Sequence, residues 1–209
     1  DYTLGEVLGS GGFGYVRAAR ENRTGHAVAI KIVDKQKMAE AGITDRIMNE
    51  VQIHSRLVHP AVVKLLHWFE DTSSVYLVME RCAGALQEHI RVHQYLEEDE
   101  AARLFTQLVQ GLYYLHTHGI IHRDLKLSNL LLTDTRDLKI ADFGLAVQLE
   151  SGTAMSNTFC GNPNYIAPEI VARKSHGLSA DLWSLGVMLF TFLTGSPPFE
   201  TQEIEATLR

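Results

Sequence analysis

Residues His122-Arg123-Asp124-Leu125-Lys126-Leu127-Ser128-Asn129 place one carboxylate, one ammonium and one amide at fixed offsets within a short polar run. The run lies between an apolar helical stretch and Leu130-Leu131-Leu132, and chemistry is usually carried by loops held on rigid elements. The set suits phosphoryl transfer. Asp124 would orient a hydroxyl and accept its proton, Asn129 would ligate a metal, and Lys126 would meet charge on the phosphoryl oxygens. On its own the run is an ordinary polar loop after a helix, so its companions decide the matter.

The companions come in order along the chain. Gly9-Ser10-Gly11-Gly12-Phe13-Gly14-Tyr15-Val16 reads G-x-G-x-x-G-x-V. A dinucleotide-binding fingerprint shares that pattern but opens a helix. Here Tyr15 to Arg20, a turn at Asn22 to Gly25, and His26 to Val33 read as strand, turn, strand. A glycine-rich hairpin lets backbone N–H groups approach phosphates closely. Val28-Ala29-Ile30-Lys31 puts a lysine at the end of a strand, on the face of Ala29. Burying it requires an acid partner. Glu50 offers one on the helical segment Thr44 to Val58, whose face is expected to carry Ile47, Met48, Val51 and Leu57. Taken singly, Glu50 reads as a solvated helix glutamate, like Glu40 and Asp45. After the polar loop comes Asp142-Phe143-Gly144, whose carboxylate would chelate Mg²⁺ on the β- and γ-phosphates. Leu145 to Cys160 reads as a mobile Ser/Thr-rich loop running on to Ala167-Pro168-Glu169.

Around these motifs the chain divides at Arg81 to Gly84. Before it, Tyr2–Leu8, Val62–Glu70 and Ser74–Glu80 read as further strands, with Val75 to Met79 buried on both faces. After it, no strand is expected until Leu130. Ala85–Val92 reads as a short helix. Glu98–His118 reads as a long one with a core stripe of Phe105, Leu108, Val109, Leu112 and Leu115, ended by Gly119. Leu138 to Ala141 reads as a strand, Asp181–Thr194 as a buried apolar helix, and Glu203–Arg209 as the start of another. The domain reading is therefore 1–82 and 83–209.

Composition narrows the class. At 209 residues, 45% hydrophobic and 21% charged, the chain is an ordinary globular one. A net charge of −6 lacks the basic footprint of a nucleic-acid binder, and no apolar run is long enough for a membrane helix. Cys82 and Cys160 make neither a disulfide framework nor a zinc pattern, which fits a reducing, cytoplasmic setting. His116-x-His118 invites a metal reading but lacks further ligands at metal spacing, so structural roles are expected.

Glycine-rich loop, VAIK, helix glutamate, HRDLKxxN, DFG and APE stand in the one order that resembles a eukaryotic protein kinase, over essentially the whole chain. The resemblance implies an α+β, bilobal fold. Its N-lobe is a small antiparallel β-sheet with one main helix, its C-lobe is larger and mostly helical, and ATP lies between them. It implies transfer of the γ-phosphoryl group to a protein hydroxyl, with ATP and Mg²⁺ as cofactors, a protein substrate as partner, and no nucleic acid or membrane. Asp124-Leu125-Lys126 resembles the serine/threonine class.

By the same likeness Lys31, Glu50, Asp124, Lys126 and Asn129 are catalytic, and Asn129 and Asp142 hold the metal. The nucleotide is lined by Leu8, Gly9, Gly11, Gly14, Val16, Ala29, Met79 (the gatekeeper), Glu80, Cys82, Leu131 and Asp142. Thr158 is the regulatory phosphorylation site, to be paired by Arg123, with Ser156 and Thr153 as lesser candidates. Asn162 stands where most such kinases carry a threonine bridging the catalytic Asp and Lys; its amide is expected to donate to Asp124, with reduced turnover. Ala85 and Ser128 occupy slots where arginine-directed kinases keep glutamates, so a weak preference for upstream arginine is expected.

Finer features resemble the polo-like kinase 4 (Sak) type: Asn49-Glu50-Val51, His59-Pro60, Phe69-Glu70-Asp71, Leu127 to Leu132, Cys160-Gly161-x-Pro163-Asn164-Tyr165-Ile166 and His176-Gly177. That type implies a role in centriole duplication and centriolar localisation. Its glycine-rich loop is usually altered and a threonine usually stands at the position of Lys126; both differ here. The sequence also stops short of a typical kinase domain, leaving Glu169 without its usual arginine, so a C-terminally truncated C-lobe is expected. The rival readings are a kinase-fold pseudoenzyme or scaffold, and a small-molecule phosphotransferase.

Overall fold

Alternation from Val28 to Val33 sorts one strand into two faces. Val28, Ile30 and Ile32 pack with Ala19 and Val78, while Val33 packs with Met38, Ile47, Val51, Leu65, Val75 and Leu77. The computed structural model describes residues 1–149, 155–201 and 207, and divides into two compact units, Asp1–Cys82 and Ala83–Arg209.

The first unit is built on strands β1 (Tyr2–Gly11), β2 (Gly14–Glu21), β3 (Ala27–Asp34), β4 (Leu65–Glu70) and β5 (Ser74–Glu80). They form one antiparallel sheet in the order β1-β2-β3-β5-β4. The second strand pair starts at Leu65 rather than Val62. Helices α1 (Lys35–Glu40) and α2 (Thr44–His54) follow β3. At six residues, α1 is too short to show as a period in the sequence. It is one capped turn and a half, started by Asp34, whose Oδ1 accepts from Gln36 N at 2.9 Å and Lys37 N at 3.1 Å. Helix α2 buries Ile47, Glu50, Val51 and Ile53. Met48, expected on that face, is 38% exposed, and Leu57 is buried but lies beyond the helix end.

The hairpin of β1 and β2 explains its glycines differently from one another. A Cβ at Gly9, Gly11 or Gly12 would meet nothing within 4 Å, whereas one at Gly14 would stand 2.0 Å from the Ile32 carbonyl oxygen. Gly14 is thus required by the packing of β2 on β3; the others leave the hairpin backbone open.

The second unit contains β6 (Gly84–Ala85), α3 (Leu86–His93), α4 (Glu98–Thr117), β7 (Ile120–Ile121), β8 (Leu130–Leu132), β9 (Leu138–Ile140), β10 (Val147–Gln148), α5 (Pro168–Val171) and α6 (Ser179–Thr194). Two-residue strands β6 and β7 precede Leu130, where none was expected. They are too short for periodicity to show, and each exists only through its partner: β6 with β8, and β7 with β10. Helix α4 buries Ala101, Leu104, Leu108, Gly111, Leu112 and Leu115. Val109 is exposed, because the face that packs runs one step earlier through Leu104. Helix α6 is not wholly buried. Its Val187, Met188 and Phe192 are core, but Leu182, Trp183, Phe190 and Leu193 are exposed. Gly195, at φ 85°, ends it in the left-handed conformation. The helix expected over 203–209 and the candidate Thr153 lie outside the described residues, apart from Thr207.

Candidate active site

Two groups of side chains carry chemistry, one in each unit. In the first, the sheet register sets Val16 opposite Lys31 and Ala29 opposite Met79. Lys31 faces the α2 side of the sheet, as Val33 does, and its Nζ donates to Glu50 Oε1 at 2.7 Å. The glutamate side chain is only 5% exposed and the lysine 23%. Glu50 is therefore a buried acid, not the solvated helix residue that its neighbours alone imply. Leu8, Gly9, Gly11, Gly14, Glu80 and Cys82 lie in the same unit. The Glu80 N–H donates to the Lys64 carbonyl at 3.0 Å, and Glu80 Oε1 accepts from Lys64 N at 2.7 Å.

In the second unit the polar loop follows β7 and enters a single 3₁₀ turn over Leu127–Asn129. Asp124 Oδ2 accepts from Lys126 Nζ at 2.7 Å and from Asn129 Nδ2 at 3.1 Å. The same Nδ2 also donates to the Asp124 carbonyl at 2.8 Å. Asp124 Oδ1 and the Asn129 amide oxygen accept no hydrogen bond among the described residues. One carboxylate oxygen is thus held while the other stays open to a hydroxyl. The Ala141 N–H donates to the Asn129 carbonyl at 2.8 Å, which ties the residue before Asp142 to the backbone of Asn129. Asp142 is solvent-exposed and sits at φ 64°. One carboxylate and one amide oxygen, both hard donors, fit Mg²⁺, which completes its shell with phosphates and water. Among the described residues no cluster of three or more His, Cys, Asp or Glu forms a protein-only metal cage.

Leu131 lies on β8 of this unit, half-buried. His122 is fully buried, 5.2 Å from the Phe143 ring in edge contact. Its Nδ1 accepts from Asp124 N at 3.3 Å, so the proton sits on Nε2, which donates to the Ala141 carbonyl at 3.1 Å. A structural histidine thereby ties the loop to the strand that leads to Asp142.

Asp181 was not singled out from the sequence. It is 1% exposed at the start of α6. Its Oδ1 accepts from Arg123 N and its Oδ2 from His122 N, each at 2.9 Å, and His116 Nε2 lies 2.9 Å from Oδ2. The polar loop hangs on this carboxylate, and Arg123 is held there at φ 65°. The available signal was an acid heading an otherwise apolar helix, which reads just as well as a dipole-favoured first-turn residue. His116 and His118 have structural partners, the latter donating from Nδ1 to the Tyr114 carbonyl at 2.8 Å.

Two expectations change. Asn162 does not donate to Asp124. Its Oδ1 accepts from Asn164 N at 3.0 Å, closing a turn of its own, because an asparagine side chain reaches its backbone two residues on more readily than a distant carboxylate. Leu145 to Cys160 is also not loose throughout its described residues. Arg123 Nε donates to the Leu145 carbonyl at 2.6 Å and Nη1 to Ser156 Oγ at 2.9 Å. Val147–Gln148 pairs with β7. Thr158 is exposed and its hydroxyl makes no hydrogen bond among the described residues. The Glu169 side chain likewise finds no ion-pair partner there.

Comparison with known proteins shows the family. Residues 2–209 match the family described as protein kinase domain. The chain is 48% identical to serine/threonine-protein kinase PLK4 of Danio rerio, over all of the chain and 22% of that relative. It is 50% identical to the proteins of the same name from Aedes aegypti and Drosophila sechellia, over all of the chain and 27% of each. The chain thus spans about a quarter of the length of these curated relatives.

Proposed function

The chain belongs to the protein kinase family, and from that premise we propose that it is the phosphotransfer region of a serine/threonine-protein kinase of polo-like kinase 4 type. The reaction breaks the bond between the γ-phosphorus and the β–γ bridging oxygen of ATP. A new P–O bond forms to a protein Ser or Thr hydroxyl, and ADP leaves. Asp124 takes the hydroxyl proton on its open oxygen while Lys126 and Asn129 fix the other. Lys31, steadied by Glu50, meets the α- and β-phosphates, beneath a hairpin whose glycines leave its N–H groups approachable. The rest of the lining is Leu8, Val16, Ala29, Met79, Glu80, Cys82 and Leu131. Mg²⁺, held through Asn129 and Asp142, supplies neutralising charge at the γ-phosphoryl group when bound. Participation in centriole duplication, with localisation there, is part of this proposal through the resemblance to that type.

The observation that carries the proposal is Asp124 itself, with one oxygen tied at 2.7 Å and 3.1 Å and the other open. Transfer of labelled phosphate from Mg-ATP to casein tests it, with Asp142→Asn as control. Transfer by the wild type and none by the control is expected. Nucleotide binding with equal, background transfer from both would instead favour the scaffold reading.

The substrate groove supports a weak preference for upstream arginine. A cavity of about 290 Å³ beside Lys126 is lined by Gln87, Arg91, Ser128, Asn162, Asn164 and Glu200 among others. Two cations face a single carboxylate, and Glu200 Oε1 already accepts from Asn164 Nδ2 at 3.2 Å. A peptide-library profile dominated by upstream arginine would overturn this.

A further inference from the structure

Arg123 is the cation that a phosphate on the following segment would be expected to meet, yet two of its five guanidinium N–H donors are already taken by neutral oxygens. Its bonds run to the Leu145 carbonyl and to Ser156 Oγ, and it has no carboxylate within ion-pair reach among the described residues. Ser156 is half-buried and doubly fixed. Its backbone forms an antiparallel bridge with His176, Ser156 N to His176 O at 2.8 Å and His176 N to Ser156 O at 2.9 Å. His176 is 1% exposed, so the bridge rests on core. Thr158 contributes only its N–H, 3.4 Å from the same Ser156 Oγ.

Downstream of this clasp the chain runs tightly along the catalytic loop. A Cβ at Gly161, where φ is 120°, would stand 3.1 Å from the Arg123 carbonyl oxygen. A cavity of about 10 Å³, room for roughly one water, is lined by Arg123, Asp124 and Leu125 on one side and by Gly161, Asn162 and Tyr165 among others. Ser156 is thus the anchored residue that precedes Gly161 and Asn162, which line the same cavity as Asp124.

We infer that Ser156 is a positioning residue whose neutral hydroxyl, held by Arg123 and backed by the His176 bridge, docks the segment 155–167 on the catalytic loop without a phosphate. This rests on the reading of Asp124 as the phosphotransfer base, and it deepens that reading by naming how the site is regulated. The segment is built to stand in register in the unmodified protein, so phosphorylation of Thr158 adjusts an ordered segment and is not what orders it.

The test is amide hydrogen exchange at Ser156 and His176 in phosphatase-treated protein, its mass confirming that no phosphate remains, together with steady-state transfer from Mg-ATP to casein. Wild type is expected to protect both amides while unphosphorylated. Ser156→Ala removes a bond from a charged donor, so protection and kcat should each fall about tenfold or more. KM for ATP should stay within about twofold, since no nucleotide-facing group is touched. Ser156→Thr restores both readouts, and Thr158→Ala retains wild-type protection. Protection that appears in wild type only after phosphorylation would overturn the inference, as would Ser156→Ala matching wild type. If wild type and Asp142→Asn both fail to transfer phosphate, it is the kinase assignment that falls, while the exchange data still decide whether Ser156 anchors the segment.

Discussion

Asp181→Asn is the sharpest perturbation of the site that leaves every group of the proposed catalytic set unaltered. The native carboxylate accepts from two backbone N–H groups and faces His116, all at 2.9 Å, with 1% exposure. Asparagine has the same shape but one acceptor oxygen. If that oxygen keeps Arg123 N, the amide NH₂ faces His122 N–H, donor against donor, and the reverse orientation only exchanges the victim. One charge-assisted bond is lost, worth about 1.5–3 kcal/mol, and one buried donor is stranded at about 1–3 kcal/mol. Allowing for relaxation, a net loss of about 3 kcal/mol is expected, which lowers the Tm of a chain this size by about 6–12 °C. Arg123, held at φ 65° partly by this bond, would drift toward a commoner conformation and take Asp124 with it. If about 2.7 kcal/mol of the loss appears as misplacement, kcat falls about a hundredfold. Scanning fluorimetry and casein phosphorylation measure the two effects. A Tm within about 1 °C of wild type, or kcat within about twofold, would refute the idea that the loop hangs on this carboxylate.

Three further outcomes follow from the same geometry. Lys31→Met should abolish transfer and, by leaving Glu50 a buried carboxylate without its ammonium, cost about 2–3 kcal/mol in urea unfolding; unchanged stability would argue against the pair. Gly14→Ala forces a methyl to within 2.0 Å of the Ile32 carbonyl oxygen and should cost about 1–3 kcal/mol, whereas Gly12→Ala, with nothing within 4 Å, should melt close to wild type. Burial holds the His176 imidazole below its ordinary value, Arg123 adds to that, and Glu169 and Asp181 oppose it. The unfolded chain then binds the proton more readily, so the His176 contribution is fully present above the unfolded pKa of about 6.5 and is lost as pH falls below it. A pH series of melts should show that acid-side slope in wild type and a flatter one in His176→Phe.

What was legible from the sequence was local. Lys31 ends an alternating strand, Asp124, Lys126 and Asn129 share one loop, and Asp142 follows a hairpin. Each of these depends on offsets of a few residues, and backbone periodicity carries such offsets faithfully. Strands β6 and β7 and the capped turn α1 escaped because two to six residues hold too little pattern to read. Glu50 was open to two readings, since an acid on a helix face is solvated or buried according to what packs on it, and here β3 supplied a lysine.

The sequence by itself determined which chemical groups are present and their order, and with them the family. Only the tertiary structure decided which of those groups hold one another. Asp181 reaches back from α6 to the backbone of His122 and Arg123, Arg123 closes on Ser156 instead of Thr158, and Asn162 spends its amide oxygen on its own turn. Such hydrogen bonds are short-ranged, so their existence turns on a fraction of an ångström between segments up to 59 residues apart. That separation leaves no periodic trace in the chain, because closing it is the work of the packed core rather than of any local preference.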